Sequence, residues 1–418
     1  MEPVEPDEPA APAVPAAESG SAPGRGPAGG WEVARARRAV AVVFTVHGAV
    51  SGSFATRIPW IREHLDLGTG RLGLALVFAT LGAAASMPLS ARLAHRHGPR
   101  AALRVLVALC CAGLALPALA PGFGWLCGAL FLFGAGLGIT DVAMNAHAVQ
   151  VEERMGRSVM SGLHGMWSVG ALLGGGAGAL AAHAALDARV HLALAAPVLA
   201  AAGVVAAGRT LDVRAGPAQE EPPHFALPRR GVLAIGVIGF LAVFAEGASM
   251  DWAGIHLRDS TGASPGLAAT AYTAFACTMA AARLAGDAVV RRLGPVRTVR
   301  IGGLLAVAGG VLVATASGPA AGIAGFALIG VGIAVVVPLC FAAAGRSESA
   351  APGRAIAGVA TLAYASGLAA PAAVGWIAEF TSLSVSFGLV TVLLCGLVLG
   401  AGVLRTDPAG ASGGRPGG

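Results

Sequence analysis

The chain has 418 residues, of which 56% are hydrophobic and only 12% charged, about half the roughly 25% of an ordinary soluble domain. That balance excludes a soluble globular fold of this length, which needs more polar surface than the sequence supplies. The formal net charge of +6 comes from 28 arginines and no lysine, and their distribution describes membrane topology rather than a nucleic-acid partner.

Residues 1–37 open with MEPVEPDEPAAPAVP, rich in proline and alanine, acidic, and without the apolar core of a secretory signal. They read as a disordered cytoplasmic tail. Apolar runs of about 20 residues, enough to cross roughly 30 Å of hydrocarbon, follow one another from there. The first six fall at 38–60, 71–93, 101–120, 123–150, 160–183 and 190–208, and form a first bundle, 38–208. A polar linker, RTLDVRAGPAQEEPPHFALPRR, occupies 209–230. Six more, at 231–258, 264–290, 298–316, 319–345, 353–379 and 382–404, form a second bundle, 231–404, and leave 405–418 as a tail. Turn-forming breakers such as PGFG at 121–124 separate the runs. The expected fold is an all-α membrane protein with twelve transmembrane helices in two six-helix halves.

Under that reading 23 arginines share the side of the N-terminus and five (Arg57, Arg62, Arg71, Arg189, Arg258) face the other side. Positive loops stay in the cytoplasm, so both termini are expected there, in the cytoplasmic membrane. The six cysteines all lie inside apolar spans without metal-ligand spacing, so neither metal nor cofactor is expected. The segment RHGPRAALR (96–104) recurs as RLGPVRTVR (292–300), an offset of 196 that spans six helices. The halves are therefore parallel repeats, a plan that places a binding site near the midplane between them.

Ionisable residues inside the spans are costly and mark function. Asp141, in GITDVAMNAH, lies about nine residues from the end of the fourth span, roughly 14 Å and near the midplane. Asn145 shares its face at i+4. His47 on the first span and Glu246 on the seventh are also deep. Trp167, Trp252, Tyr272 and Tyr364 are placed to stack on a flat ligand, with core packing the alternative for each. His164 is shallow and reads as a structural or gating contact to the loop EERMGR (152–157). Gly170, Gly174 and Gly178 form a small-residue packing stripe.

These stretches resemble the major facilitator superfamily of secondary transporters. The basic loops ARLAHRHGPR and AGDAVVRRLGPVR carry the likeness, with Arg96, Gly98, Gly286, Asp287 and Arg292 at the family's gating positions. The first loop has Ala91 and His95 where the family has Gly and Asp. ATRIPWIREHLDLGTGRLGLAL, MSGLHGMWSVGALLGG and EGASMDW are similar to the fucose-permease-like branch and permeases near it. The resemblance implies alternating access, Asp141 as proton carrier, Asn145 as a substrate hydrogen-bonder, and a small polar solute, with a sugar as the branch's example. Where the branch has an acid four residues before the first-span proline, this chain has Ala55, so coupling rests on Asp141 with His47 or Glu246.

The fourth span lacks the arginine of the export branches, and the fifth has Gly174-Gly175-Gly176 without their Gly-Pro pair, which favours symport over drug or metabolite export. An intramembrane enzyme built on Ser161 and His164 lacks an oxyanion hole and an orienting acid, so no enzyme is expected. A ligand sensor on the same scaffold is the remaining alternative; a monomer in a lipid bilayer binding substrate and protons is the expectation.

Overall fold

The computed structural model describes residues 27–156, 159–212, 230–345 and 352–405. Most of the N-terminal tail, linker positions 213–229 and the C-terminal tail beyond 405 lie outside these. Fourteen α-helices build twelve rods, and no strand occurs among the described residues. The first half comprises α1 (Pro27–Ala55), α2 (Ile58–His64), α3 (Thr69–His97), α4 (Pro99–Gly113), α5 (Phe123–Met155), α6 (Met160–His183) and α7 (Ala188–Ala207). The second comprises α8 (Arg230–Thr261), α9 (Pro265–Leu293), α10 (Pro295–Ala314), α11 (Pro319–Ile333), α12 (Val336–Gly345), α13 (Pro352–Phe380) and α14 (Leu383–Gly400).

Two rods are broken, and proline explains both. Pro59 and Pro338 lack the N–H that would bond four residues back, and their rings crowd the carbonyls of Ala55 and Ala334. The first rod accordingly splits into α1 and α2, and the tenth into α11 and α12. Helix α1 starts at Pro27, eleven residues before the first apolar run, so the region expected as a tail is helical from there. Eleven of the rods are long and apolar enough to cross a membrane. Helix α9 matches them in length at 29 residues but dilutes its apolar positions with Thr273, Thr278, Arg283 and a basic end.

Each half repeats one packing scheme. In the first, α1 packs on α6, α3 on α5 and α4 on α7; in the second, α8 packs on α13, α9 on α11 and α10 on α14. The parallel repeat read from Gly-Pro is thus repeated in space. At both copies a helix ends on glycine and the next begins on proline: Gly98 has φ +84° and Gly294 φ +75°. Glycines also permit the closest crossings. A Cβ on Gly170 would stand 1.9 Å from the Thr45 carbonyl oxygen, and one on Gly134 1.8 Å from that of Ala79, so α1–α6 and α3–α5 meet backbone to backbone. Outward, Leu180, Leu399 and Trp125 are largely exposed, the apolar coat a bilayer covers.

The halves meet along α3–α13 and α6–α9. At the end away from the termini they are also tied by charge. Arg62 pairs with Asp259 at 2.6 Å, and Glu63 pairs with Arg258. Glu379 accepts hydrogen bonds from the Thr69 hydroxyl (3.0 Å) and the Gly70 amide (2.8 Å). Both inter-half ion pairs among the described residues lie at this rim.

Candidate functional site

A narrow cavity of about 20 Å³, room for a water molecule, opens between the halves where α6 faces α8 and α9. Helical spacing decides what lines it. On α9, Tyr272, Phe275, Met279 and Arg283 recur at three- and four-residue steps, so one stripe faces inward. Helix α8 adds Glu246 and Met250, one turn apart, and α6 adds Trp167. Tyr272 packs over Gly175 of the opposite half, where the missing side chain makes room.

An ion pair sits in this wall. Arg283 Nη2 donates to both carboxylate oxygens of Glu246, at 3.1 and 3.2 Å. Arg283 Nε donates to the Ala334 carbonyl at 3.3 Å. That carbonyl lies four residues before Pro338, so the helix supplies it no donor, and the break between α11 and α12 becomes the seat of the guanidinium. Both side chains are mostly buried, 27% and 19% exposed.

Trp167 is fixed from behind. Its indole N–H donates to His47 Nδ1 at 2.9 Å, and His47 Nε2 lies 3.1 Å from the Leu137 carbonyl. An indole nitrogen can only donate, so Nδ1 is the acceptor and the ring proton sits on Nε2. His47 is therefore a neutral imidazole with both nitrogens used, holding α1, α5 and α6 together.

Asp141 and Asn145 lie on α5, outside the cavity lining. Asn145 Nδ2 donates to the Asp141 backbone carbonyl at 2.9 Å, which leaves the Asp141 carboxylate with no hydrogen bond or ion pair among the described residues. It acts electrostatically on His164, and so does Arg283. His164, expected at a loop contact, instead stands between the lone acid of one half and the ion pair of the other, its ring edge-on to Phe44 at 5.3 Å.

Trp252 takes the core-packing alternative rather than the ligand-stacking one. It is fully buried, and its ring lies against Gly73 of α3 and Gly375 of α13. Two residues past Met250 is about 200° around the helix, so a side chain there faces away from the cavity. Tyr364 lies on α13 and Asp287 on α9, but their side chains fall outside the described set. Gly286 is buried, with Val335 2.6 Å from where its Cβ would be, while Arg96 and Arg292 are exposed at the ends of α3 and α9. Near Gly98 it is Arg100 that binds, donating from Nε to the Thr210 carbonyl at 2.9 Å.

Arg283 is the site residue that sequence reading passed over, because its place near a basic loop grouped it with the loop charges. The available signal was its position seven residues inside the 264–290 span.

The arrangement of two parallel six-rod halves around a central cavity fits a secondary transporter, and the comparisons agree. Residues 39–250 match the Major Facilitator Superfamily, and the chain belongs to that family. It is 36% identical to an uncharacterised MFS-type transporter of Yersinia pestis over 353 residues, 84% of this chain and 91% of the relative. In structure it is similar to the nucleoside transporter NupG, with TM-score 0.69 at 13% identity over 87% of this chain and 98% of that one. It is also similar to the E. coli fucose:proton symporter FucP, with TM-score 0.58 at 15% identity over 89% and 98%. At such identities the solved structures speak for the fold alone. The chain is a multi-pass membrane transporter and not an enzyme.

Proposed function

We propose that this transporter takes up a small polar solute together with a proton by alternating access. Its two moving bodies are 38–208 and 231–404, it sits in the cytoplasmic membrane, and both termini face the cytoplasm. The observation that carries the reading is the inter-half cavity: Trp167 from one half faces Tyr272 and Glu246 from the other, with the unpaired Asp141 carboxylate a histidine away. A half-buried carboxylate without a partner, deep within a span, is a candidate proton carrier as its access to water changes. Trp167, with its N–H already committed to His47, offers the solute a ring face, and Tyr272 offers a hydroxyl opposite. Asn145 keeps its side-chain oxygen free to accept, since its amide hydrogens face the Asp141 carbonyl. The likeness to a sugar:proton symporter supports the same reading, with a sugar as one class of solute. The clasp at the rim away from the termini fits a state whose cavity is sealed from the outside.

Internal pH of proteoliposomes tests this, with sugars and small polar metabolites added outside to wild type and Asp141→Asn in parallel. The expected result is acidification by a transported compound that disappears in the variant, while counterflow exchange of that compound persists. A variant that still concentrates the compound against its gradient removes Asp141 from the coupling role.

A further inference from the structure

We propose that Arg283 is the anchor for a carboxylate on the transported solute, which takes the guanidinium in exchange for Glu246. The inference rests on the transport reading above and narrows its solute to a small organic monocarboxylate with a flat or apolar body.

Three observations lead there. First, the guanidinium is held at a fixed angle by the Ala334 carbonyl on Nε, and its Nη2 binds Glu246, whereas Nη1 makes no hydrogen bond among the described residues. A planar fork fixed in this way matches a carboxylate in two-point geometry. Second, the rest of the wall is apolar or aromatic: Trp167, Met250, Tyr272, Phe275 and Met279. Such a lining accepts the ring or chain of an organic acid better than the hydroxyls of a sugar, and methionine adapts to irregular shapes. Third, the charges balance. The empty cavity holds one cation and one anion. When the solute carboxylate occupies Arg283, Glu246 is left charged and unpaired in a poorly solvated wall, which is strongly unfavourable. A proton on the displaced Glu246 oxygen restores neutrality, so one proton and one carboxylate enter together and leave together without net charge movement. A neutral sugar supplies nothing to replace Glu246 and leaves the pair closed.

The groups that act on Glu246 are few. Arg283 and Tyr272 come from α9, and Asp251 lies further along α8 and also acts on Tyr272. Arg283 also acts on His164 of α6, on which Asp141 of α5 acts as well. Of the other helices packed on α8, α12 and α14 bring cysteines alone, α11 brings no titratable group, and described acid Glu379 of α13 lies at the far rim with α2's Arg62 and Glu63.

The test uses the full-length protein in detergent, with thermal stabilisation by benzoate, phenylacetate and butyrate, by their primary amides, and by neutral hexoses. At least one acid is expected to stabilise wild type more strongly as the pH falls from 8 to 6, with its amide inert. Arg283→Lys keeps a charge for Glu246 but loses the fork, and should weaken acid binding about ten- to a hundred-fold, the worth of a charge-assisted bidentate contact. Glu246→Gln imitates the protonated acid and should bind at every pH, flattening the wild-type pH dependence. Amides or hexoses that bind as well as the acids, acids that bind none of these proteins, or acid binding undiminished in Arg283→Lys would each overturn the inference. In vesicles the two readings separate: hexose uptake that acidifies the lumen and survives Arg283→Gln ends the carboxylate assignment and leaves symport standing. Carboxylate uptake without acidification ends symport and leaves Arg283 as the anchor.

Discussion

The two halves share a packing scheme but differ in buried charge: only the second carries an ion pair in the cavity wall. In the first, the deep polar groups are a neutral imidazole with both nitrogens bonded and a carboxylate that nothing neutralises, Asp141. In the second, Glu246 is locked to Arg283, while Asp251, five residues further along α8, makes no hydrogen bond or ion pair among the described residues. A carboxylate without a partner has no ion pair to break, whereas one held by a cation must first give that contact up. Under the proposed function, one half would offer a site for a proton, and the other a site where a proton and an anion are exchanged. His164 is acted on by both Asp141 and Arg283, a link between the halves at the cavity in addition to the ion pairs at the rim.

Removing single charges is the strongest way to break this contrast. Arg283→Leu strands Glu246 in the cavity wall and should cost about 3–5 kcal/mol, the usual penalty for an uncompensated buried charge. Replacing both partners, Arg283→Leu with Glu246→Leu, should recover most of that loss. Asp141→Asn removes a charge that has no partner and should leave stability within about 1 kcal/mol of wild type. Thermal melts of the three purified variants decide it. A single Arg283→Leu that melts like wild type would mean the pair contributes nothing to the resting state, and the contrast between halves would collapse.

The repeated turn sharpens the comparison from the other side, because here the halves should respond alike. Gly98 (ψ 146°) and Gly294 (ψ 163°) occupy a region that is essentially closed to residues with a side chain. No atom lies within 4 Å of a Cβ on Gly294, and on Gly98 only the Asp212 carboxylate approaches, at 3.7 Å. The cost of alanine is then backbone strain alone, about 1–3 kcal/mol at either position. Equal shifts in melting temperature for Gly98→Ala and Gly294→Ala are expected. A much larger loss at one of them would show that its loop carries contacts beyond the turn.

The turn was also the most legible feature of the sequence, and the reason bears on what was not. Apolar run length and glycine–proline pairs are local signals, so the rods and the repeat could be read along the chain, while the breaks within the first and tenth rods were not. The site depends on rotation about each helix axis, which length does not reveal. Glu246 and Trp252 are six residues apart on one helix, yet one lines the cavity and the other fills the crevice between α3 and α13. Periodicity could have separated them only with a known reference face, and the even apolarity of α8 supplies none. Arg283 was hidden for a different reason: topology counting assigns every arginine near a span end to the loop, and it takes the freed carbonyl at Ala334 to turn this one inward.

The smallest expected difference between the halves lies at the helix starts after the fifth and eleventh rods, related by an offset of 195. Helix α7 is capped by Asp187, whose Oδ1 accepts from the Arg189 amide at 2.8 Å, and α14 by Ser382, whose hydroxyl accepts from the Val385 amide at 3.2 Å. Only the first cap titrates. Hydrogen bonds from the Arg189 side chain and amide hold the Asp187 carboxyl below its ordinary value, 3.8. A depressed acid stabilises the fold fully above its unfolded value and loses that contribution as the pH falls through the folded one. The window therefore opens just below pH 4. Because the carboxylate is 37% exposed, solvent screening limits the effect to about half a kcal/mol. Asp187→Ser copies the cap of the second half, and at pH 7 it should melt slightly below wild type. That gap should close on acidification below pH 4, since wild type alone has a charged cap to lose. Ser382→Asp should gain the same acid sensitivity only if a cation stands near it as Arg189 does near Asp187. Residues 382–389 contain none in sequence, so the expected pH response of that variant is flatter.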